Sequence, residues 1–220
     1  MDPATLVGLL WGELLKTLFM TVIATLVAYI IGLPIGVSLI VTSTNGIKPL
    51  GVYNKVMGFI VNVIRSVPFL ILMIALIPYI RVIIGTGIGT PAKTAALIVA
   101  AAPFVARLVE QSLLEVDPGV IEAAQAMGAS NFKIVTKVLL LEARPSLLNG
   151  AAVATITILG YSAMAGSIGG GGLGDIAIRY GLYRFQPTIM WITVIILVIL
   201  VQVMQEIGVR VVNKMDNRTN

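Results

Sequence analysis

The chain has no cysteine and no histidine among its 220 residues. Without cysteine there is no disulfide framework and no thiolate chemistry. Without histidine the commonest general base and metal ligand is missing. Charge is scarce as well: 11% of residues are charged, where a soluble domain carries about 25%. No G-x-x-x-x-G-K-[ST], H-E-x-x-H or G-x-S-x-G occurs, so the chain cannot bind ATP through a P-loop of its own. Intramembrane hydrolysis has neither a nucleophile–base pair nor a metal site to work with. The excess of five positive charges is too small and too dispersed to argue for nucleic acid. What is present in quantity is apolar: 58% hydrophobic residues and a mean hydropathy of +1.00. This composition defines an integral membrane protein.

Five segments reach the length needed to cross about 30 Å of hydrocarbon at about 1.5 Å per residue, and all are expected to be helices because backbone groups in lipid must be satisfied within the segment. They run 17–41, 56–77, 95–114, 147–168 and 188–212. The stretch 4–15, with Trp11, is expected to lie in the interface as a separate short helix. Met1-Asp2-Pro3 carries no basic n-region and the first apolar run is too long for an h-region, so no cleaved signal is expected. Five spans put the termini on opposite sides. With the loop 115–146 and the C-terminus inside, Lys48, Lys55, Lys133, Lys137, Arg144, Arg210, Lys214 and Arg218 are cytoplasmic. Lys16, Arg81, Lys93, Arg179 and Arg184 are then outside, a positive-inside bias in this direction. The Asn217-Arg218-Thr219 sequon then falls on the inner side and reads as chance. Ion-coupled secondary transport usually brings internal repeats or membrane carboxylates; neither is evident.

Two arginines fall inside spans, where a central charge costs about 2.5–3.5 kcal/mol and therefore faces protein or water. Arg107 has Glu110 three residues on, close enough to pair on one helix face. For Arg65 and Arg107 alike, a structural role within the bundle and a direct role toward substrate both stand at this point.

The stretch 117–132 is polar between apolar runs. Asp117 is placed to cap a helix whose first residue is Pro118, and Gly128 to end it about ten residues on. Val120, Ile121, Ala124 and Met127 share one face, with Glu122 and Gln125 turned away. Ser130 can cap a second helix through 134–141, closed by Pro145. A plain surface helix-turn-helix would satisfy these signals. The pattern Glu122-Ala123-Ala124, three residues, Gly128, and an apolar cluster ten residues later also resembles the EAA loop of ABC importer permeases. In that family the loop is a cytoplasmic coupling helix seated in a groove of an ATPase subunit. The resemblance implies that Glu122, Ala123, Ala124, Met127 and Gly128 contact such a partner. One departure is plain: the family pattern ends in Ile-x-Leu-Pro, and Leu141 stands where the proline would be.

Further along, Gly169-x-Gly171-x-x-Gly174 has the form of a dinucleotide fingerprint, but a membrane helix rather than a strand precedes it, which excludes that reading. The glycines are expected to form a mobile outer turn with positive φ. Before them, Tyr161 and Met164 share a helix face near Ser162, with Gly160 making room. That face suits either a small apolar side chain, through sulfur and aromatic contact, or helix packing through small residues. Gly160-Tyr161-Ser162-Ala163-Met164, Gly171-Gly172-Leu173-Gly174, Ala102-Pro103-Phe104-Val105-Ala106-Arg107 and Arg65-Ser66-Val67-Pro68-Phe69 together resemble the permeases of methionine ABC importers over nearly the whole chain.

The resemblance implies an all-α membrane protein of the type I importer permease fold, with about five transmembrane helices and a short cytoplasmic coupling helix. It implies a transport subunit rather than an enzyme, moving methionine (L- and possibly D-) across a bacterial inner membrane. Tyr161, Ser162 and Met164 would meet the substrate. The implied partners are a second permease chain, two ATPase subunits that hold ATP and Mg, and an external binding protein. The N-terminus would be outside, with no cofactor or metal on this chain. Another amino acid or small nutrient as cargo is the alternative.

Overall fold

A computed structural model describes residues 2–215; Arg218 and the sequon at 217–219 lie outside the described residues. Among the described residues every regular element is a helix. Four helices are long and apolar enough to cross a membrane, and a bent pair supplies a fifth crossing if it counts as one span.

The first helix, α1 (Pro3–Val41), runs 39 residues, about 58 Å at about 1.5 Å per residue. The expected separate helix at 4–15 does not exist: it is the first part of α1. No proline interrupts the chain between Pro3 and Pro34, and Glu13 and Lys16 pair across the would-be junction at 2.8 Å. α1 packs on α4 (Thr90–Leu114), and glycine sets how close they come. A Cβ at Gly32 would lie 2.7 Å from the Ala102 carbonyl oxygen, and one at Gly36 would lie 2.5 Å from that of Ala106. α4 answers with Ala92, Ala96, Ala100, Ala101, Ala102 and Ala106, all buried. Small residues on both sides let the backbones approach, the usual solution where lipid removes the hydrophobic drive between helices.

The expected straight span at 56–77 is corrected. Two 16-residue helices, α2 (Gly51–Ser66) and α3 (Phe69–Ile84), meet at 106°. Pro68 is the cause: it clashes with helical geometry at the residue before it, and Val67 is accordingly extended at ψ 128°. Each half is about 24 Å long, short of the hydrocarbon thickness of about 30 Å.

Beyond α4 come α5 (Pro118–Ala126), α6 (Asn131–Lys133), a wide π-type turn at Ile134–Leu139 and α7 (Leu140–Glu142). α8 (Arg144–Gly166) returns through the bundle against α1 and α4. α9 (Leu173–Ile176) continues into a second π-type turn, Ala177–Leu182, before α10 (Pro187–Met215). α10 presents Trp191, Ile195, Val198, Ile199, Val203 and Ile207 outward, an apolar face that suits lipid. α4 is the centre, with Leu97, Val105, Val109 and Leu113 in the core.

Candidate translocation site and coupling helix

At one end of the bundle α5 touches the core only through Ala124 and Ile121. Asp117 caps it, its Oδ1 accepting the Gly119 N–H at 2.7 Å, and Pro118 occupies the first turn. Gly128 ends it at φ 75°, while the Ala129 N–H reaches back to the Ala124 carbonyl at 3.1 Å. The Ser130 hydroxyl accepts the Lys133 N–H at 3.4 Å and starts the next helix. The caps thus sit where residue types place them. The apolar face does not. Ala124 is buried and Ile121 half-buried, but Val120 and Met127 are exposed, Met127 at 81%. Glu122, Ala123 and Gly128 are exposed too. Glu122 and Gln125 border a groove of about 360 Å³ between α5 and the ends of α1 and α4, with Ile40, Leu113 and Val116 on its walls.

Leu141, in the place of the family proline, lies within α7. The helix can run on there because Leu141 has the N–H a proline lacks. The turn widens beforehand, with the Leu140 N–H bonded five residues back to Val135 O. Pro145 does not close this helix. Helicity stops after Glu142, and Pro145 falls in the first turn of α8, a position that needs no N–H.

The middle of the bundle holds the elbow between α2 and α3. Arg107 fixes its α2 side: the guanidinium donates to Glu110 Oε2 at 2.5 Å, to Asn62 Oδ1 at 2.8 Å and to the Gly58 carbonyl at 3.2 Å. The Arg107–Glu110 pair follows the sequence spacing, whereas Asn62 and Gly58 were not foreseen. On the α3 side Phe69 stacks on Tyr161 of α8, ring centroids 4.1 Å apart and planes within 7°. A cavity of about 380 Å³ opens at this corner, lined by Arg65, Ser66, Pro68, Phe69, Phe104 and Tyr161 among others.

The three expected substrate residues do not stay together. Tyr161 lines the cavity. Met164 is half exposed, and nothing lies within 4 Å of a Cβ built on Gly160, so these two share an open side of α8. Ser162 faces the other way. It is fully buried, its hydroxyl donating to Leu159 O at 2.7 Å and accepting from Thr21 Oγ1 at 3.4 Å. One residue further round a helix is about 100° of rotation, which turns Ser162 into the α1 contact. Phe69, Phe104 and Arg65 complete the corner; the segments 65–69 and 102–107 carry the signal for them, as motifs rather than as walls of one cavity.

At the opposite end from α5 the glycine run is tied down, not loose. Gly169, Gly171 and Gly172 do take φ of 80°, 73° and 84°. Yet the Gly172 N–H donates to Glu13 Oε2 at 2.5 Å and the Leu173 N–H to Thr17 Oγ1 at 2.8 Å. The Gly89 N–H donates to Gly169 O at 2.8 Å, and the Thr90 hydroxyl to Gly170 O at 3.2 Å. Lys93, counted above among outward charges, is 1% exposed, with its stem against Gly170. It lies beside the C-terminal end of α8, the end of a helix dipole that favours a cation.

A helix bundle with a broken helix, an aromatic corner at the break and a capped helix at one end is here that of a membrane transport permease, as its relatives show. The family described as "Binding-protein-dependent transport system inner membrane component" matches residues 32–215, and the chain belongs to it. It is 50% identical over 203 residues to the "Probable D-methionine transport system permease protein MetI" of Vibrio cholerae, covering 92% of this chain and 90% of that one. It is 43% identical to the "Methionine import system permease protein MetP" of Bacillus subtilis, covering 95% and 94%. Among solved structures, a chain of the MetNI methionine ABC transporter in an inward-facing conformation matches with a TM-score of 0.96 at 44% identity, over 99% of this chain and 100% of that one.

Proposed function

We propose that this chain is the permease subunit of an ATP-driven importer that carries methionine into the cytoplasm by alternating access. The observation that carries the cargo is the open side of α8: the stacked Tyr161 and Phe69 rings, with Met164 half exposed nearby. Such rings and a thioether suit a flexible sulfur-containing side chain, each sulfur–aromatic contact contributing about 0.3–1.5 kcal/mol. The names of the relatives at 43% and 50% identity point the same way.

The assembly has two copies of this chain, two ATPase subunits that bind ATP and Mg, and an external binding protein. One copy has too few helices to enclose a path, so a two-fold pair is the economical arrangement. The N-terminus and glycine run face outside, and α5 and the C-terminus face the cytoplasm. Exposed Glu122, Ala123, Met127 and Gly128 meet the ATPase, and buried Ala124 holds α5 to its own bundle. Closing the ATPase dimer draws the two α5 helices together and opens the path outward; hydrolysis resets it. Tyr161 and Met164 line that path. Ser162 acts by holding α8 to α1.

The test is uptake of labelled methionine by cells without their own methionine importers, supplied with this chain and its cognate ATPase and binding protein, with unlabelled amino acids as competitors. ATP-dependent uptake competed chiefly by methionine is expected. Met164→Ala with Tyr161→Phe should lower that selectivity; unchanged uptake and selectivity would discard these contacts. Uptake competed by a different amino acid would transfer the permease reading to that cargo.

A further inference from the structure

Arg65 is the last charged residue before the break between α2 and α3. The break lies on an exposed side of the bundle, level with the central part of α1. α2 is held at Gly58 by Arg107, which follows Ala106, and the carbonyl of Ala106 faces Gly36 of α1. On the other side Phe69 stacks on Tyr161, whose neighbour Ser162 meets Thr21 of α1. The elbow therefore falls between the levels of Thr21 and Gly36, in the central part of α1. A cation at that depth is costly without water or a counter-charge.

Among the described residues no carboxylate pairs with Arg65. Of the ten acidic residues, those in or against the long helices are taken. Glu13 is engaged by Lys16 and the Gly172 N–H, Glu110 by Arg107, Asp175 by Arg179, and Glu206 by Arg210. Glu115, Asp117, Glu122 and Glu142 lie in the segment beyond the end of α4, Asp2 precedes α1, and Asp216 is outside the described residues. Arg65 itself is exposed, and no hydrogen bond or ion pair engages it among the described residues.

Its surroundings describe what would pair with it. The cavity of about 380 Å³ joins Arg65 to Phe69, Phe104 and Tyr161, a volume within the range of about 300–1,000 Å³ typical of small-molecule sites. α3 begins at the same corner with no side chain capping its first turn, so its unpaired N–H groups add partial positive charge. One wall is cationic and the other aromatic. That pairing fits a molecule with a carboxylate at one end and an apolar side chain at the other.

We propose that Arg65 receives the α-carboxylate of the amino acid in transit, while the Tyr161–Phe69 rings hold its side chain. This rests on the importer reading above and adds to it a way-station at the elbow. The guanidinium suits the task because its fork matches a carboxylate with paired hydrogen bonds. Broken helices at the membrane midplane are a recurrent way to build such stations.

The test uses the assembled complex in proteoliposomes, with labelled methionine as the probe and co-purified ATPase as the check on assembly. Arg65→Gln should lower the initial uptake rate about tenfold or more, the loss expected for one charge-assisted contact. Arg65→Lys should recover a large part of it, because the charge returns. Arg81→Gln, an exposed arginine in the last turn of α3, should transport like the parent. Uptake by Arg65→Gln within about twofold of the parent overturns the proposal. So does an assembled Arg65→Lys as poor as Arg65→Gln, since charge would then not matter. If the parent complex moves another amino acid and not methionine, the cargo reading fails and Arg65 is tested on that amino acid. If it moves only solutes without a carboxylate, both readings fall.

Discussion

The glycine run and the α5 loop are both built on glycines at positive φ, at opposite ends of the bundle, and they are held by opposite means. Around α5 the capping hydrogen bonds are all local, and only Ala124 and Ile121 pack on the bundle. Asp117 serves Gly119, Ser130 serves Lys133, and Gly128 turns the chain two residues before Ser130. Around the glycine run the partners come from far away: Glu13 and Thr17 on α1, Gly89 and Thr90 ahead of and on α4. A locally held loop can present exposed residues to another chain and move as a unit. A loop held by two other helices becomes part of their packing and cannot move without them.

The sharpest way to break that comparison is to add one methyl group to a glycine at each end. At Gly172, φ is 84° and the new Cβ would lie 2.7 Å from Thr17 Oγ1 and 3.0 Å from the Met20 methyl. Left-handed strain of about 1–2 kcal/mol adds to overpacking of about 1–3 kcal/mol. Gly172→Ala should therefore lower the melting temperature of the purified protein strongly. Gly128 has a similar φ of 75° but open space around it, so Gly128→Ala should cost the strain of about 1–2 kcal/mol alone. Equal losses at the two sites would mean the glycine run is not anchored as described.

The same contrast explains what the sequence made legible. Helix caps are short-range, so Asp117, Pro118, Gly128 and Ser130 could be assigned from residue type and spacing. The elbow was written in Val67-Pro68, but a run of apolar residues on both sides hid the bend inside a length count. That Ser162 turns away from the open side of α8 shows only once the position of α1 is known. That Lys93 is buried shows only once the glycine run is seen to lie beside it. Corrections thus cluster where a residue's environment is made by elements distant in the chain.

Removing the cap of α5 is the next smaller test. Asp117→Ala deletes the acceptor for the Gly119 N–H and should cost about 1 kcal/mol, mostly as fraying of the first turn. Since α5 touches the core only through Ala124 and Ile121, the effect should appear as faster amide exchange at 119–121 rather than as a lower global melting temperature. A global loss would show that α5 is bound into the bundle more tightly than its exposed residues imply.

The smallest expected stability change is at Gly160, and it separates packing glycines from those on an open surface. Gly32 and Gly36 have carbonyl oxygens where a Cβ would go, whereas Gly160 has nothing within 4 Å. Helix propensity alone favours alanine by about 1 kcal/mol at an exposed position, so Gly160→Ala should leave melting unchanged or slightly raised. Gly160→Leu should still fold, yet it puts a bulky group on the open side of α8, one turn before Met164. Reduced methionine uptake by a fully stable Gly160→Leu protein would mean the space beside Gly160 belongs to the path. Unchanged uptake would mean that side of α8 faces lipid or a neighbouring chain, and the path would have to run along the Arg65 corner alone.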